Sequence, residues 1–177
     1  MDAEIRTILL ATDADSVFKE VDAALSDSRT KLLRVASGPD VLPAIREIEP
    51  NLVILDLQIG NMGGVATSLA IRNEESVGRL DPQNVLLLLD RIADVFIARR
   101  SDADGWIVKP LNPLRLQRAA TLVMNGEYYT EHLTVVGTEQ EPEESAELDA
   151  GEESPGEESP GEEADADGGQ ATTEAAG

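Results

Sequence analysis

Three short runs of uninterrupted apolar residues punctuate the chain: Ile8-Leu9-Leu10-Ala11, Leu52-Val53-Ile54-Leu55 and Val85-Leu86-Leu87-Leu88-Leu89. None shows the polar alternation of a half-solvated strand, and such short continuous runs are typical of strands buried on both faces of a parallel sheet. Lys31–Ala36 and Trp106–Val108 are weaker candidates for two further strands. Between the runs the apolar period changes to that of a helix. Val17, Val21, Ala24 and Leu25 mark one helical face. Asp40 is a candidate cap for a second helix containing Val41, Leu42, Ile45 and Ile48, with Pro43 tolerated in its first turn. Val65–Arg72 and Ile92–Arg100 supply a third and a fourth. Asn112-Pro113 reads as the start of a fifth helix and Asn125-Gly126 as its stop. Phe18 and Phe96 are expected in the core, and Tyr128-Tyr129 are expected to pack the end of the fifth helix.

Strand and helix alternate throughout, which predicts an α/β domain: a doubly wound five-stranded parallel sheet with helices on both faces. In such sheets ligands gather beyond the carboxyl ends of the strands. The residues there are Thr12 and Asp13 after the first strand, Asp56 after the third, Asp90 after the fourth, and Lys109-Pro110 after the fifth. Three acids and one lysine thus converge on one rim.

Charge divides the chain. The net charge of −21 over 177 residues is concentrated from Thr138 onward, where 15 acids and no lysine or arginine occur. That segment lacks aromatic residues and repeats Glu-Glu-Ser-Pro-Gly at Glu152–Gly156 and Glu157–Gly161. So little apolar surface cannot offset the entropy of ordering, so an intrinsically disordered acidic tail is expected. The expected organisation is a domain over 1–127, a connector over 128–137 and the tail over 138–177. The first 137 residues are only mildly acidic, which argues against a surface wholly devoted to nucleic acid. There are no cysteines, hence neither disulfides nor a thiolate site. No apolar run reaches the ~20 residues that span a bilayer, and the N-terminus lacks a signal-peptide pattern. A soluble cytoplasmic protein without a membrane partner is expected, with His132 an exposed residue rather than a metal ligand.

The segment Leu52-Val53-Ile54-Leu55-Asp56-Leu57-Gln58-Ile59-Gly60-Asn61-Met62-Gly63-Gly64 resembles the phosphoacceptor loop of response-regulator receiver domains, and Gly105-Trp106-Ile107-Val108-Lys109-Pro110 is similar to that family's fifth strand. The resemblance spans roughly residues 5–125. It implies a flavodoxin-like fold and a stand-alone signalling module of a two-component phosphorelay rather than an enzyme. It further implies Asp56 as phosphoacceptor, Lys109 as its ion-pair partner, and magnesium held by Asp13, Asp56 and the backbone carbonyl of Gln58. The expected partners are a sensor histidine kinase or another signalling protein. The fourth helix, fifth strand and fifth helix would form the partner or homodimer face, bearing Arg99, Arg100, Trp106, Arg115 and Arg118.

Three departures from the family pattern alter that picture. Thr12 replaces one of two adjacent acids, Gly60 replaces the loop proline, and either Asp90 or Leu89 stands where the family carries a switch serine or threonine. Trp106 takes the position of the switch aromatic. Two unit charges about 5 Å apart repel by about 3 kcal/mol at an effective dielectric near 20, so Asp90 either opposes a phosphoryl group on Asp56 or serves as a replacement metal ligand. A phosphorylation-independent interaction module is the alternative reading. The run Asp13-Ala14-Asp15-Ser16-Val17 is also similar to the start of haloacid-dehalogenase-type phosphohydrolases, with Asp13 as nucleophile and Asp15 as general acid. That family's further magnesium-binding acids are lacking between Lys109 and Glu127. Direct DNA binding is not expected. A flexible 40-residue chain has an r.m.s. span of about 35 Å, enough for the acidic tail to reach the arginine-bearing face of a domain of similar width.

Overall fold

The structure, a computed structural model, describes residues 5–130. The acidic segment, its repeats, His132 and most of the expected connector lie outside the described residues. Strands β1 (Arg6–Ala11), β2 (Thr30–Val35), β3 (Leu52–Asp56), β4 (Val85–Leu89) and β5 (Gly105–Val108) alternate with helices α1 (Asp15–Leu25), α2 (Val41–Ile48), α3 (Gly64–Ser76), α4 (Val95–Ala98) and α5 (Pro113–Met124). A two-residue strand, β6 (Tyr129–Thr130), adds a sixth member where five were expected. The order across the sheet is β2-β1-β3-β4-β5-β6, with every pairing parallel.

Strand parity explains the core. Odd-numbered residues Leu9, Val53, Leu55, Val85, Leu87 and Leu89 pack with Val41 and Ile45 of α2, Ile71 of α3 and Ala98 of α4. Even-numbered Ile8, Leu10, Leu52, Ile54, Leu86 and Leu88 pack with Val17 and Val21 of α1 and Leu116 and Val123 of α5. Because side chains alternate across a strand, uniformly apolar runs feed both layers at once.

Local chemistry sets the helix ends. The Asn112 side chain accepts the backbone N–H groups of Leu114 and Arg115 at 3.0 and 3.2 Å, as the Asn-Pro start predicts. Gly126, at φ 78°, follows the end of α5 in the left-handed region that glycine tolerates best. Asp40 departs from expectation. A 3-10 turn at Gly38–Asp40 runs straight into α2, leaving Asp40 in helical geometry with no side-chain cap bond. The expected fourth helix is reduced to a 3-10 turn, Ile92–Asp94, followed by one turn of α4. Phe96 is consequently 61% exposed rather than buried, with the Arg100 guanidinium 4.1 Å over its ring. Phe18 is half-buried beneath Arg34. Tyr128 is exposed, while Tyr129 pairs beside Gly105 in the sheet.

Candidate functional site

Backbone bonds beyond the strand ends build the rim. The Thr12 N–H donates to the Val35 carbonyl at 3.0 Å, the Leu57 N–H to Leu88 at 2.9 Å, and the Lys109 N–H to Leu89 at 2.8 Å. These bonds tie β1 to β2, β3 to β4 and β5 to β4 as the strands end, and the strands' shared carboxyl edge gathers Thr12, Asp56, Asp90 and Lys109. The Lys109-Pro110 peptide bond is cis.

Asp56, the last residue of β3, is only 2% exposed. Its Oδ1 accepts from Lys109 Nζ at 2.7 Å, and its Oδ2 accepts from the Thr12 hydroxyl at 2.8 Å. The Gln58 N–H stands 3.5 Å from Oδ1, at the outer limit of a hydrogen bond. Thr12 Oγ1 in turn accepts the Ala14 N–H at 3.2 Å, leaving the hydroxyl proton for the carboxylate. Asp90 points into the same pocket: its Oδ1 accepts from Lys109 Nζ at 2.9 Å. Its other oxygen, Oδ2, is buried without a hydrogen-bond partner. Partial burial disfavours the Lys109 ammonium, but the hydrogen bonds and charges of Asp56 and Asp90 outweigh it and hold the pKa above the ordinary lysine value. The ammonium therefore stays charged at neutral pH.

Asp13 is exposed at the edge of this group. Its Oδ2 lies 3.1 Å from where a Cβ would project from residue 60, so the glycine at Gly60 gives the carboxylate room over the loop that follows Asp56. Magnesium is commonly held by one or two carboxylates together with water and phosphate oxygens. Asp90 Oδ1, like Asp56 Oδ1, is bound to Lys109, and among the described residues no group of three acidic, histidine or cysteine side chains is placed to hold a metal.

Two contributions were not legible in the sequence. Thr12 reads in sequence as the loss of an acid, yet its hydroxyl is a direct donor to Asp56. Arg34 on β2 donates from Nε to the Thr12 carbonyl at 2.8 Å and pairs with Asp15 at 2.7 Å, bracing the β1–α1 loop. The only signal was an arginine between Leu33 and Val35 in an otherwise apolar stretch. The hydrogen bond from Arg34, and then its charge, lowers the pKa of Asp15. Asp15 thus serves Arg34 rather than the Asp56–Lys109 pair. On the expected partner face, Arg99, Arg100 and Arg118 are exposed, whereas Trp106 is 7% exposed and packs inward with Ala98, Ala103 and Leu89. Arg115 is half-buried and binds the Val108 and Pro110 carbonyls at 3.0 and 3.2 Å. Among the described residues no helix is long and apolar enough to cross a membrane.

A flavodoxin-like parallel sheet with a buried aspartate at the end of its third strand, salt-bridged to a lysine after its fifth, is the architecture of receiver domains. The sequence profile of the response regulator receiver domain matches residues 8–121, and the chain belongs to that family. It is 30% identical over 128 residues to the DNA-binding response regulator MtrA of Mycolicibacterium paratuberculosis, covering 67% of this chain and 55% of that protein. It is also 30% identical over 107 residues to the transcriptional regulatory protein AfsQ1 of Streptomyces coelicolor, covering 59% of this chain and 45% of AfsQ1. The chain thus spans about half the length of the curated relatives it matches. In fold it is similar to the signal receiver domain of NarL from Mycobacterium tuberculosis, with a TM-score of 0.62 and 24% identity over 71% of this chain and 100% of that one. A response regulator from Chloroflexus aurantiacus matches at a TM-score of 0.62 and 21% identity, over 69% of this chain and 99% of that one.

Proposed function

We propose that this chain is a receiver that accepts a phosphoryl group on Asp56 from the phosphohistidine of a sensor kinase and signals through protein–protein contacts. The observation that carries this reading is the buried Asp56 carboxylate held between the Lys109 ammonium and the Thr12 hydroxyl. These two donors orient the carboxylate for attack on phosphorus; the new acyl-phosphate O–P bond forms as the donor's N–P bond breaks, and the departing imidazole takes up a proton. Lys109 then offsets part of the charge delivered to the pocket. Magnesium at Asp13, Asp56 and the Gln58 carbonyl would supply further charge neutralisation. The relatives are DNA-binding and transcriptional regulators, but the residues before Thr138 carry 20 acids against 14 bases and the segment after it is strongly acidic, which opposes direct contact with a phosphate backbone. Contact with another protein is the reading for this chain, and it involves no catalytic turnover.

Incubation with acetyl phosphate and magnesium should add the mass of one phosphoryl group to the intact protein, and Asp56→Asn should add none. Equal labelling of the variant would overturn the assignment. One observation favours a second reading. Asp90 already occupies Lys109 with an anion, as a phosphorylation-independent module would need. In that case a partner captured by the wild type would bind Asp56→Asn with unchanged affinity.

A further inference from the structure

Lys109 Nζ is shared by two carboxylates that are differently secured. Asp56 is anchored at both oxygens, by Lys109 and by Thr12, and its side chain is 3% exposed. Asp90 is held in the pocket by Lys109 at 2.9 Å, its second oxygen is buried without a partner, and its side chain is 31% exposed. Removing a carboxylate oxygen from water without giving it a donor is costly. Asp90 therefore occupies the pocket at the expense of one unsatisfied oxygen, with a short path to solvent.

We propose that Asp90 is a built-in competitor for the Lys109 ammonium, so that an anion settles on Asp56 only as Asp90 is expelled, and that this expulsion is the domain's conformational signal. The inference rests on the reading of Asp56 as acceptor. A phosphoryl group attached to Asp56 brings up to two negative charges beside Lys109, among the described residues the only cation in direct contact with that carboxylate. The Asp56 carboxyl gives up its own charge to the new O–P bond, but the phosphoryl dianion and the Asp90 carboxylate together still bring up to three negative charges to one ammonium, with strong repulsion between them. Asp56 is covalently committed and bonded by Thr12, so the carboxylate that can leave is Asp90. The switch runs opposite in direction to one in which a hydroxyl is drawn towards phosphate: here an acid is pushed away from it.

The geometry after Asp90 gives the movement somewhere to go. The next residue, Arg91, is pinned by its N–H to Asp94 Oδ2 at 2.9 Å, while its guanidinium lies 3.2 Å from Asp94 Oδ1. Asp94 is buried and ends the 3-10 turn that opens α4. Displacement of Asp90 is passed through this bonded unit to α4, whose Ile92, Phe96 and Ile97 neighbourhood is exposed. On the same side of the sheet lies Trp106, the chain's single tryptophan, with its indole N–H buried and unpartnered.

The test uses the full chain, beryllofluoride with magnesium as the phosphoryl mimic, and Trp106 fluorescence as the readout. Asp90→Ala and Asp90→Thr should bind the mimic on the order of ten- to a hundredfold more tightly than wild type, the effect of removing one like charge from beside a bound anion. Their unliganded emission should already resemble that of the liganded wild type. Binding by the Asp90 variants where the wild type binds too weakly to measure would also support the proposal. Unchanged or weaker binding by both variants would overturn it, weaker binding marking Asp90 as a helper of the anion. Asp56→Asn separates the two claims: if it binds the mimic as wild type does, the acceptor reading fails. If binding needs Asp56 but ignores Asp90, only the present inference fails. Absence of binding by every form overturns both.

Discussion

Thr12 illustrates how one side chain can change the character of a pocket without changing its shape. In sequence it registers as an acid lost. In the structure it is fully buried and its hydroxyl satisfies Asp56 Oδ2 at 2.8 Å while accepting the Ala14 N–H. Hydrogen bonds to charged groups contribute about 1.5–3 kcal/mol net. Thr12→Val keeps the volume, deletes the hydroxyl, and leaves both Asp56 Oδ2 and the Ala14 N–H short of a partner. The midpoint of urea unfolding should fall by an amount equivalent to about 1–3 kcal/mol, with the slope unchanged; an unaltered midpoint would mean that water replaces the hydroxyl at no cost. Asp56, Asp90 and Lys109 were legible at this scale because the strand-end rule places them on one rim whatever the loops do. The roles of Thr12 and Arg34 were not, since each depends on the direction of a single side chain across neighbouring strands. Phe96 misled for the opposite reason: an aromatic in an apolar stretch implies burial only if the helix around it is long enough to have an inner face.

At the scale of elements, the helix starts with explicit caps were the most readable and those relying on tertiary context the least. Asn112 sits in extended geometry, φ −99° and ψ 126°, and its side chain takes two N–H groups that α5 would otherwise leave orphaned. Asn112→Ala should destabilise the domain by about 1 kcal/mol. The equivalent Asp40→Ala change should be nearly silent, because Asp40 makes no cap bond. Parallel thermal melts of the two variants check the contrast, and equal shifts would contradict it. Two elements escaped the apolar pattern altogether. β6 is two residues long, too short for any periodicity, and exists because the chain returns past α5 to pair Tyr129 and Thr130 beside Gly105 and Trp106. A Cβ at Gly105 would lie 2.6 Å from the Tyr129 carbonyl oxygen, so the glycine permits that close approach. α4 is short because Asp94 turns inward to bind Arg91, which begins the segment as a 3-10 turn, and because the chain leaves the helix again after Ala98.

Across the described domain as a whole, stability should be graded from the centre of the sheet outward. Every residue of β3 and of β4 is buried, and each strand has a hydrogen-bonded neighbour on both sides. β2, at one edge, contains no fully buried residue, although it matches β1 over its whole length. β6, at the other edge, offers two residue pairs. Arg72 ties the far pole together, donating to Glu75, to Asp104, and to the Gln83 and Asp102 carbonyls at 2.7 to 3.0 Å. It thereby links the end of α3 to the starts of β4 and β5. Local opening costs least where few apolar contacts are lost, and most where opening requires the whole core to separate. Native-state amide exchange should therefore place β3 and β4, with the β1 strand beside them, at the global unfolding free energy. β2 should open at an intermediate cost, and β6 should exchange nearly as fast as a loop. Arg72→Met should lower the protection of the first residues of β4 and β5 more than that of Leu55 and Asp56, because those strand starts lose their clamp while the opposite rim keeps its own. Protection of β6 equal to that of β4 would mean that the short strand is part of the cooperative core, and that the sheet is not graded in this way.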